Sequence, residues 1–265
     1  MKSHAIRLLA LSSLMLPLPG LIASATSDIS LGTAGSYAVL AGSTVTNTGS
    51  SVISGDLGVS PGGAITGFPP GIVIGGTTHK GDAAAAQAQL DLTAAYNAAA
   101  GLTRNGTLTG QNLGGMTLTP GVYFFASSAQ LTGQLTLNTL GNPNALFVFQ
   151  IGSTLTTASN SSVIFSNSLA DSNVFWQVGS SATLGTTTAF QGNILALSSI
   201  TLNTGATIGC GSALARNGAV TLDSNVIGGG CSSTTTTTVP ESGTLGLLGT
   251  GLAILAGAAR RRVRI

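Results

Sequence analysis

Charge is what this sequence has least of. Lys, Arg, Asp and Glu together make up 6% of its 265 residues, against roughly 25% in ordinary globular chains. Their placement sharpens the scarcity. Lys2 and Arg7 sit at one extreme and Arg260, Arg261, Arg262 and Arg264 at the other, so the formal charge of +2 belongs to the ends. Between them only Lys80, Arg104 and Arg216 oppose Asp28, Asp56, Asp82, Asp91, Asp171 and Asp223, three positive groups against six negative, which leaves the body at −3. Without a basic stripe to neutralise phosphates, nucleic acid is excluded as a partner. Catalysis is excluded on similar grounds. The one glutamate, Glu241, lies near the C-terminus, and His79 is the one histidine beyond the N-terminal segment. No Gly-x-Ser-x-Gly elbow or phosphate loop is present, and the expectation is a protein that is not an enzyme and uses no cofactor. Asp56, in a glycine-rich turn, reads as a turn residue and not as a calcium ligand.

Cysteine is equally sparse. Cys210 and Cys231 are the only two, with no Cys-x-x-Cys spacing and too few histidines for a zinc site. In an exported chain such a pair reads as a disulfide.

Export itself is legible at both ends. Lys2 and Arg7 precede the apolar run 8–18, and Ala23-Ser24-Ala25 follows it, which is the layout of a signal peptide over residues 1–25. At the other end a Ser/Thr stalk (232–238) leads into Val239-Pro240-Glu241-Ser242, an apolar stretch at about 244–259, and the arginine cluster. The apolar stretch is short for a bilayer span, which needs about 20 residues. The order over residues 239–265 resembles the PEP-CTERM sorting signal, although that family's motif is Val-Pro-Glu-Pro and Ser242 replaces the second proline. The resemblance implies an exosortase-type processing enzyme as a partner and a cell-surface or extracellular location. A plain C-terminal membrane anchor is the alternative. Either way the membrane is met only through this segment.

What the body does have is glycine, 38 in the whole chain, with threonine and serine at most polar positions. One segment has helical composition. Asp82 fits an N-cap, alanines follow it, and Gly101 fits a stop, which predicts a helix at about 82–100 with Ala85, Ala88, Leu92, Tyr96 and Ala99 on one face. The rest repeats. The dipeptide Thr-Leu recurs at 117, 136, 154, 183, 201 and 221, in steps near twenty residues with one long step that holds 159–171, read as an enlarged coil or protruding loop. A period of that kind is the mark of stacked coils. Alternation then points Leu155, Leu184, Leu202 and Leu222 into a core. It points Thr154, Thr183, Thr201 and Thr221 outward, with Thr157, Thr186, Thr204 and Ser224 three residues later as a second column. The apolar runs 146–151, 174–178 and 194–197 wall the same core. Cys210 and Cys231, one coil apart, would pin the last turn.

Over residues 28–227 the body carries Leu31-Gly32-Thr33-Ala34-Gly35, Gly55-Asp56-Leu57-Gly58-Val59-Ser60-Pro61 and Ile65-Thr66-Gly67-Phe68. Gly114-Gly115-Met116-Thr117-Leu118-Thr119-Pro120-Gly121, Phe175-Trp176-Gln177-Val178, Gly192-Asn193-Ile194-Leu195-Ala196 and Ala219-Val220-Thr221-Leu222-Asp223-Ser224-Asn225 follow. In this order they resemble the bacterial ice-binding protein family. The resemblance implies a mainly β fold over residues 26–231, a discontinuous triangular β-solenoid with one long α-helix alongside. It also implies an ice crystal surface as the partner. Some members carry Thr-Ala/Gly-x-Thr/Asn on the contact face. Thr157-Ala158-Ser159-Asn160 and Thr204-Gly205-Ala206-Thr207 match it, whereas Thr186-Thr187-Thr188-Ala189 and Ser224-Asn225-Val226-Ile227 depart. The expected contact set is therefore Thr154, Thr157, Asn160, Thr183, Thr186, Thr188, Thr201, Thr204, Thr207, Thr221 and Ser224. A non-catalytic adhesin that grips a biofilm exopolysaccharide with the same face is the second function these residues allow.

Overall fold

The computed structural model describes residues 29–167 and 173–228. The expected signal peptide, the stalk, the sorting motif Val239-Pro240-Glu241 and Cys231 lie outside the described residues. The chain first winds two coils: β1 (Tyr37–Ala41), β2 (Thr44–Thr48) and β3 (Val52–Ser54), then β4 (Asp56–Val59), β5 (Ala64–Thr66) and β6 (Ile72–Ile74). After β7 (Thr78–Lys80) comes α1 (Ala83–Gly101), and β8 (Gly106–Thr107) and β9 (Thr117–Leu118) begin the opposite end. Five further coils return: β10 (Gly121–Phe125), β11 (Ala129–Leu131) and β12 (Gln134–Asn138); β13 (Leu146–Ile151), β14 (Leu155–Thr157) and β15 (Ser162–Ser166); β16 (Asn173–Val178), β17 (Ala182–Leu184) and β18 (Ala189–Phe190). They end with β19 (Asn193–Ala196), β20 (Ile200–Leu202) and β21 (Thr207–Ile208), then β22 (Ala213–Ala215), β23 (Val220–Asp223) and β24 (Val226–Gly228).

Successive strands of each coil enter three different sheets. Sheet A has the order β7-β4-β1-β22-β19-β16-β13-β10-β8, sheet B β11-β14-β17-β20-β23-β2-β5, and sheet C β6-β3-β24-β21-β18-β15-β12-β9. The three sheets enclose one core, so the expected discontinuous solenoid with a helix is what forms. Its discontinuity is specific. The N-terminal coil does not stack on the coil that follows the helix but on the last one, through Val39 on Ala213, Val45 on Val220 and Val52 on Val226.

The central strands of sheet A are buried on both faces, which explains why β13 and β16 read as almost unbroken apolar runs. Its inner side carries Phe149 stacked on Trp176 at 3.8 Å and 7°, with Tyr123 and Phe190 flanking them. The Trp176 indole N–H donates to the Gln191 carbonyl at 3.0 Å, so this buried polar atom is satisfied. The outer side presents Val148, Phe175, Leu195, Leu214 and Leu40 to Ala88, Leu92, Ala95, Tyr96 and Ala99 of α1. The helix's alanines let its axis approach a flat sheet, and its buried stripe includes all five residues expected plus Ala95.

Both helix ends are fastened. Asp82 accepts the Ala85 N–H at 2.9 Å as N-cap. At the other end the Gln150 amide, on the outer side of β13, donates to the carbonyls of Ala99, Ala100 and Leu102 at 2.9, 3.2 and 2.9 Å, while Arg104 donates to its oxygen. These carbonyls lack partners within the helix. Cys210 lies in the bend between β21 and β22. The long step expected as an enlarged coil holds a regular strand, β15, followed by residues 168–172 outside the described set. Gln150→Ala should cost about 1–3 kcal/mol, the usual penalty for orphaned buried acceptors. Denaturant melts would measure it, and hydrogen exchange in the last turn of α1 should accelerate while the first turn stays unchanged.

Candidate functional site

Sheet A lies under the helix, so among the described residues the solenoid's free faces are sheets B and C. In sheet B the strand pairs fix which side chains share a column. Gln130 pairs with Thr156, Thr156 with Thr183, Thr183 with Thr201, and Thr201 with Thr221. Across the joint Thr221 pairs with Thr46, and Thr46 with Thr66. The neighbouring positions Leu155, Ala182, Leu184, Ile200, Leu202, Val220, Leu222 and Val45 are buried, so alternation turns the threonine column outward. Rungs about 4.8 Å apart extend its six threonines over about 24 Å. No Lys, Arg, His or Glu belongs to it.

Beside this column, at the edge nearer sheet A, hydroxyls knit one coil to the next. Thr154 donates to Ser128 at 2.8 Å, Ser181 accepts the Ser199 N–H, and Ser199 accepts the Ala219 N–H. The opposite edge is the corner towards sheet C. There the carbonyls of Thr186, Thr204, Asp223 and Thr48 accept N–H groups from Asn160, Thr187, Gly205 and Ser224 of the neighbouring coils. Those four donors and Gly49 all turn through the left-handed region, at φ of 59°, 55°, 70°, 53° and 77° respectively. The corner therefore repeats from coil to coil even where its residues differ. The last coil's corner is braced from inside by Asn225, which is buried and donates to the carbonyls of Asn203 and Ala206 at 2.9 Å.

Several expected contact residues fall where expected, and others do not. Thr183, Thr201 and Thr221 form the middle of the outward column, and Thr186 and Thr204 share the corner. Thr154 points outward but lies two residues early, because Leu155 stacks on Ala182 and not on Leu184, so Thr156 takes its place. Thr157 is a correction: it is 3% exposed, stacks on Leu131 in the inward column, and accepts the Gly185 N–H at 2.8 Å. Thr188 is fully buried and bonds Thr157 at 2.8 Å. Neither hydroxyl reaches the surface. Asn160 is exposed at the corner, where its side-chain oxygen accepts the Thr187 hydroxyl at 2.6 Å. Ser224 sits on the left-handed rung and donates to Asp223, so it is not in the Thr186/Thr204 column. Thr207 belongs to sheet C, paired with Ala189 and Val226. Thr46, Thr66 and Thr156 were not among the expected residues. The alternation Thr44-Val45-Thr46-Asn47-Thr48 is the signal that marks the first of them as an outward strand position.

Charge collects elsewhere. Arg216 lies over Tyr96 at 4.7 Å and donates to Thr93, and His79 meets Asp82 at 2.8 Å. Asp91 accepts the Thr33 N–H and hydroxyl, whose hydrogen bonds hold its carboxyl below the usual range. Asp82 is also held low, first by the Ala85 N–H and then by His79. Burial, then the charges of Asp56 and Asp82, push the Tyr37 hydroxyl up to about 12. All of these groups are on the helix side. Asp56 itself accepts the Thr77 N–H at 2.7 Å, the turn role expected of it. Among the described residues no group of three or more His, Cys, Asp or Glu could hold a metal.

A discontinuous solenoid with a registered threonine face and a helix on another side is a recurrent class, and the comparisons assign the family. The Ice-binding-like family model matches residues 39–228, and the chain belongs to that family. An ice-binding protein from Nostoc sp. (strain HG1) is 60% identical over 245 residues, 91% of this chain and 90% of the relative. The crystal structure of an ice binding protein from an Antarctic biological consortium superposes with a TM-score of 0.72 at 51% identity, covering 81% of this chain and 95% of that one. That of an ice-binding protein from the Antarctic ascomycete Antarctomyces psychrotrophicus gives 0.71 at 43% identity, covering 76% and 98%.

Thr187 is the β-branched residue in the left-handed corner column, a conformation that costs such residues about 1–2 kcal/mol. Thr187→Asn, which restores the residue type of Asn160 one coil away, should raise unfolding stability by about 1 kcal/mol. The check is the denaturation midpoint at an unchanged m-value.

Proposed function

We propose that this protein binds ice through sheet B, with the column Thr156, Thr183, Thr201, Thr221, Thr46 and Thr66 at the centre of the contact. The observation that carries this function is the unbroken register of that column across the joint between the two parts of the chain, in a member of the ice-binding-like family. Rungs about 4.8 Å apart, with alternate residues about 6.7 Å apart along each strand, form a two-dimensional grid. Threonine suits such a grid because its χ1 is stiff. Its methyl and hydroxyl hold place without a large loss of side-chain entropy, so they can order an ice-like water layer. Strongly hydrated ions would break that layer, and the column has none. Each contact is weak, and regular repetition over about 24 Å supplies the affinity. An adsorbed molecule then blocks growth between anchoring points, with no bond made or broken.

Purified protein should show thermal hysteresis or inhibit recrystallisation. Thr201→Tyr, at mid-column, should abolish either effect while changing stability by no more than about 0.5 kcal/mol. Thr204→Tyr, at the corner, should weaken it, and Thr117→Tyr on sheet C should leave it intact. A wild-type protein without effect on ice across a concentration series would sink this function and favour the polymer adhesin.

Export and surface display are part of the same proposal. They rest on the sequence of residues 1–25 and 232–265, and a cold surface outside the cell is where an ice-binding face is of use. Among the described residues no helix is long and apolar enough to cross a membrane. The partner proposed for Cys210 is Cys231, which would tie the chain back to the final coils just before the stalk. Peptide mapping of unreduced protein should recover the two cysteines in one linked pair. Recovery of Cys231 as a free thiol would refute the linkage.

A further inference from the structure

Far from sheet B, where α1 ends and sheet A loses its cover, a half-open cleft of about 430 Å³ is bounded by Asn105, Asn142, Asn144, Thr103 and the apolar side chains of Val122 and Leu146. It exists because the coil that begins with β10 is overlong. The step from Gly121 to Leu146, the starts of β10 and β13, is 25 residues, against 20 from Asn173 to Asn193. The surplus projects as the turn at 139–145, which passes through left-handed Leu140 and Gly141. We propose that this cleft is a binding site for a neutral saccharide.

Two of its three amides are aimed in advance. The Asn105 oxygen accepts the Val122 N–H at 2.7 Å and the Asn142 oxygen accepts the Asn144 N–H at 2.9 Å, which fixes both side chains and leaves their NH₂ groups as donors. The Asn144 side chain makes no hydrogen bond among the described residues, and it keeps both a donor and an acceptor. Fixed amide donors, one versatile amide and a hydroxyl beside an apolar floor match a ligand with vicinal hydroxyls on one edge and C–H groups on one face. Among the described residues no charged side chain lines the cleft, so an anionic polymer finds no counter-charge from them there. Gly121 keeps the floor open, since a β-carbon there would come within 3.3 Å of the Asn105 oxygen.

The test is a titration of the ¹⁵N-labelled full chain with cellohexaose, maltohexaose and isomaltohexaose, and with an oligogalacturonate hexamer as the anionic probe. At least one neutral hexasaccharide should give saturable shifts of the Asn105, Asn142 and Asn144 side-chain amides. Asn144→Ala should weaken that binding about tenfold, the equivalent of about 1.4 kcal/mol, with an unchanged melting temperature and unchanged activity on ice. Gly121→Val should abolish it by filling the floor. The proposal is overturned if no neutral probe saturates, if the oligogalacturonate alone binds, or if Asn144→Ala and Gly121→Val both bind as the wild type does. Thr201→Tyr should bind the saccharide normally, which keeps this outcome separate from that of the ice assay.

Discussion

Parallel stacking of like on like is the constraint from which the remaining features follow. A coil of this solenoid cannot bury its own apolar side chains; only the coil above and the coil below complete the walls. The joint between the first coil and the last is therefore decisive. Val45, Thr46, Asn47 and Thr48 lie against Val220, Thr221, Leu222 and Asp223 in an uninterrupted ladder. Because side chains alternate with period two, a slip of one residue there would put Thr46 in the core and Val45 in water. The apolar mismatch enforces the register, and the register continues the outward threonines over strands that are about 175 residues apart in the chain.

The same constraint arranges the corners and the charges. Each coil must turn from sheet B to sheet C at the same height, and the left-handed residue at that turn is filled by Gly49, Asn160, Thr187, Gly205 or Ser224 according to the coil. Conformation is conserved along the stack more strictly than residue identity. In the last coil the buried Asn225 side chain holds the corner, its amide donating to the Asn203 and Ala206 carbonyls and its oxygen accepting the Asp223 N–H. Charged groups stay out of the outward threonine column. One of them, Asp223, stands at the corner, where it accepts the Thr204 hydroxyl, and others gather along α1 and its flanking bends, where Asp91 fastens the N-terminal turn and Arg104 and Arg216 lie over Phe124 and Tyr96.

Much of this was legible in the sequence, and the failures have a common origin. Composition and period identify the solenoid, and local chemistry identifies the helix down to its Asp82 cap. The inward leucines at 155, 184, 202 and 222 are all buried. Column membership was harder. The Thr-Leu dipeptide aligns Thr154 with Thr183, yet the ladder aligns Thr156, because the core accepts Leu155 against Ala182 as readily as leucine against leucine. A shift of two preserves the face, so Thr154 still points outward, only on the wrong rung column. Thr157 failed for a different reason. Counting three residues from a strand position crosses the period of two, and it carried an inward residue into an outward set. Thr46 and Thr66 were missed since nothing local reveals that the first coils share a sheet with the last.

Threonine on both sides of the same wall shows what separates scaffold from surface. Inside, the hydroxyls of Thr157 and Thr188 lie 2.8 Å apart and also engage Gly185 and Ala158. A buried hydroxyl without a partner costs more than the bond it could make. Outside, Thr46 and Thr221 approach only to 3.5 Å, at the limit of a hydrogen bond. Two hydroxyls of the central column that meet no more closely than this satisfy one another poorly, so water must complete them. The stacking distance is set by backbone hydrogen bonds and not by the threonines. The order it gives to that water is a consequence of the core, and substitutions that loosen the core should blur the face even where no outward residue is changed.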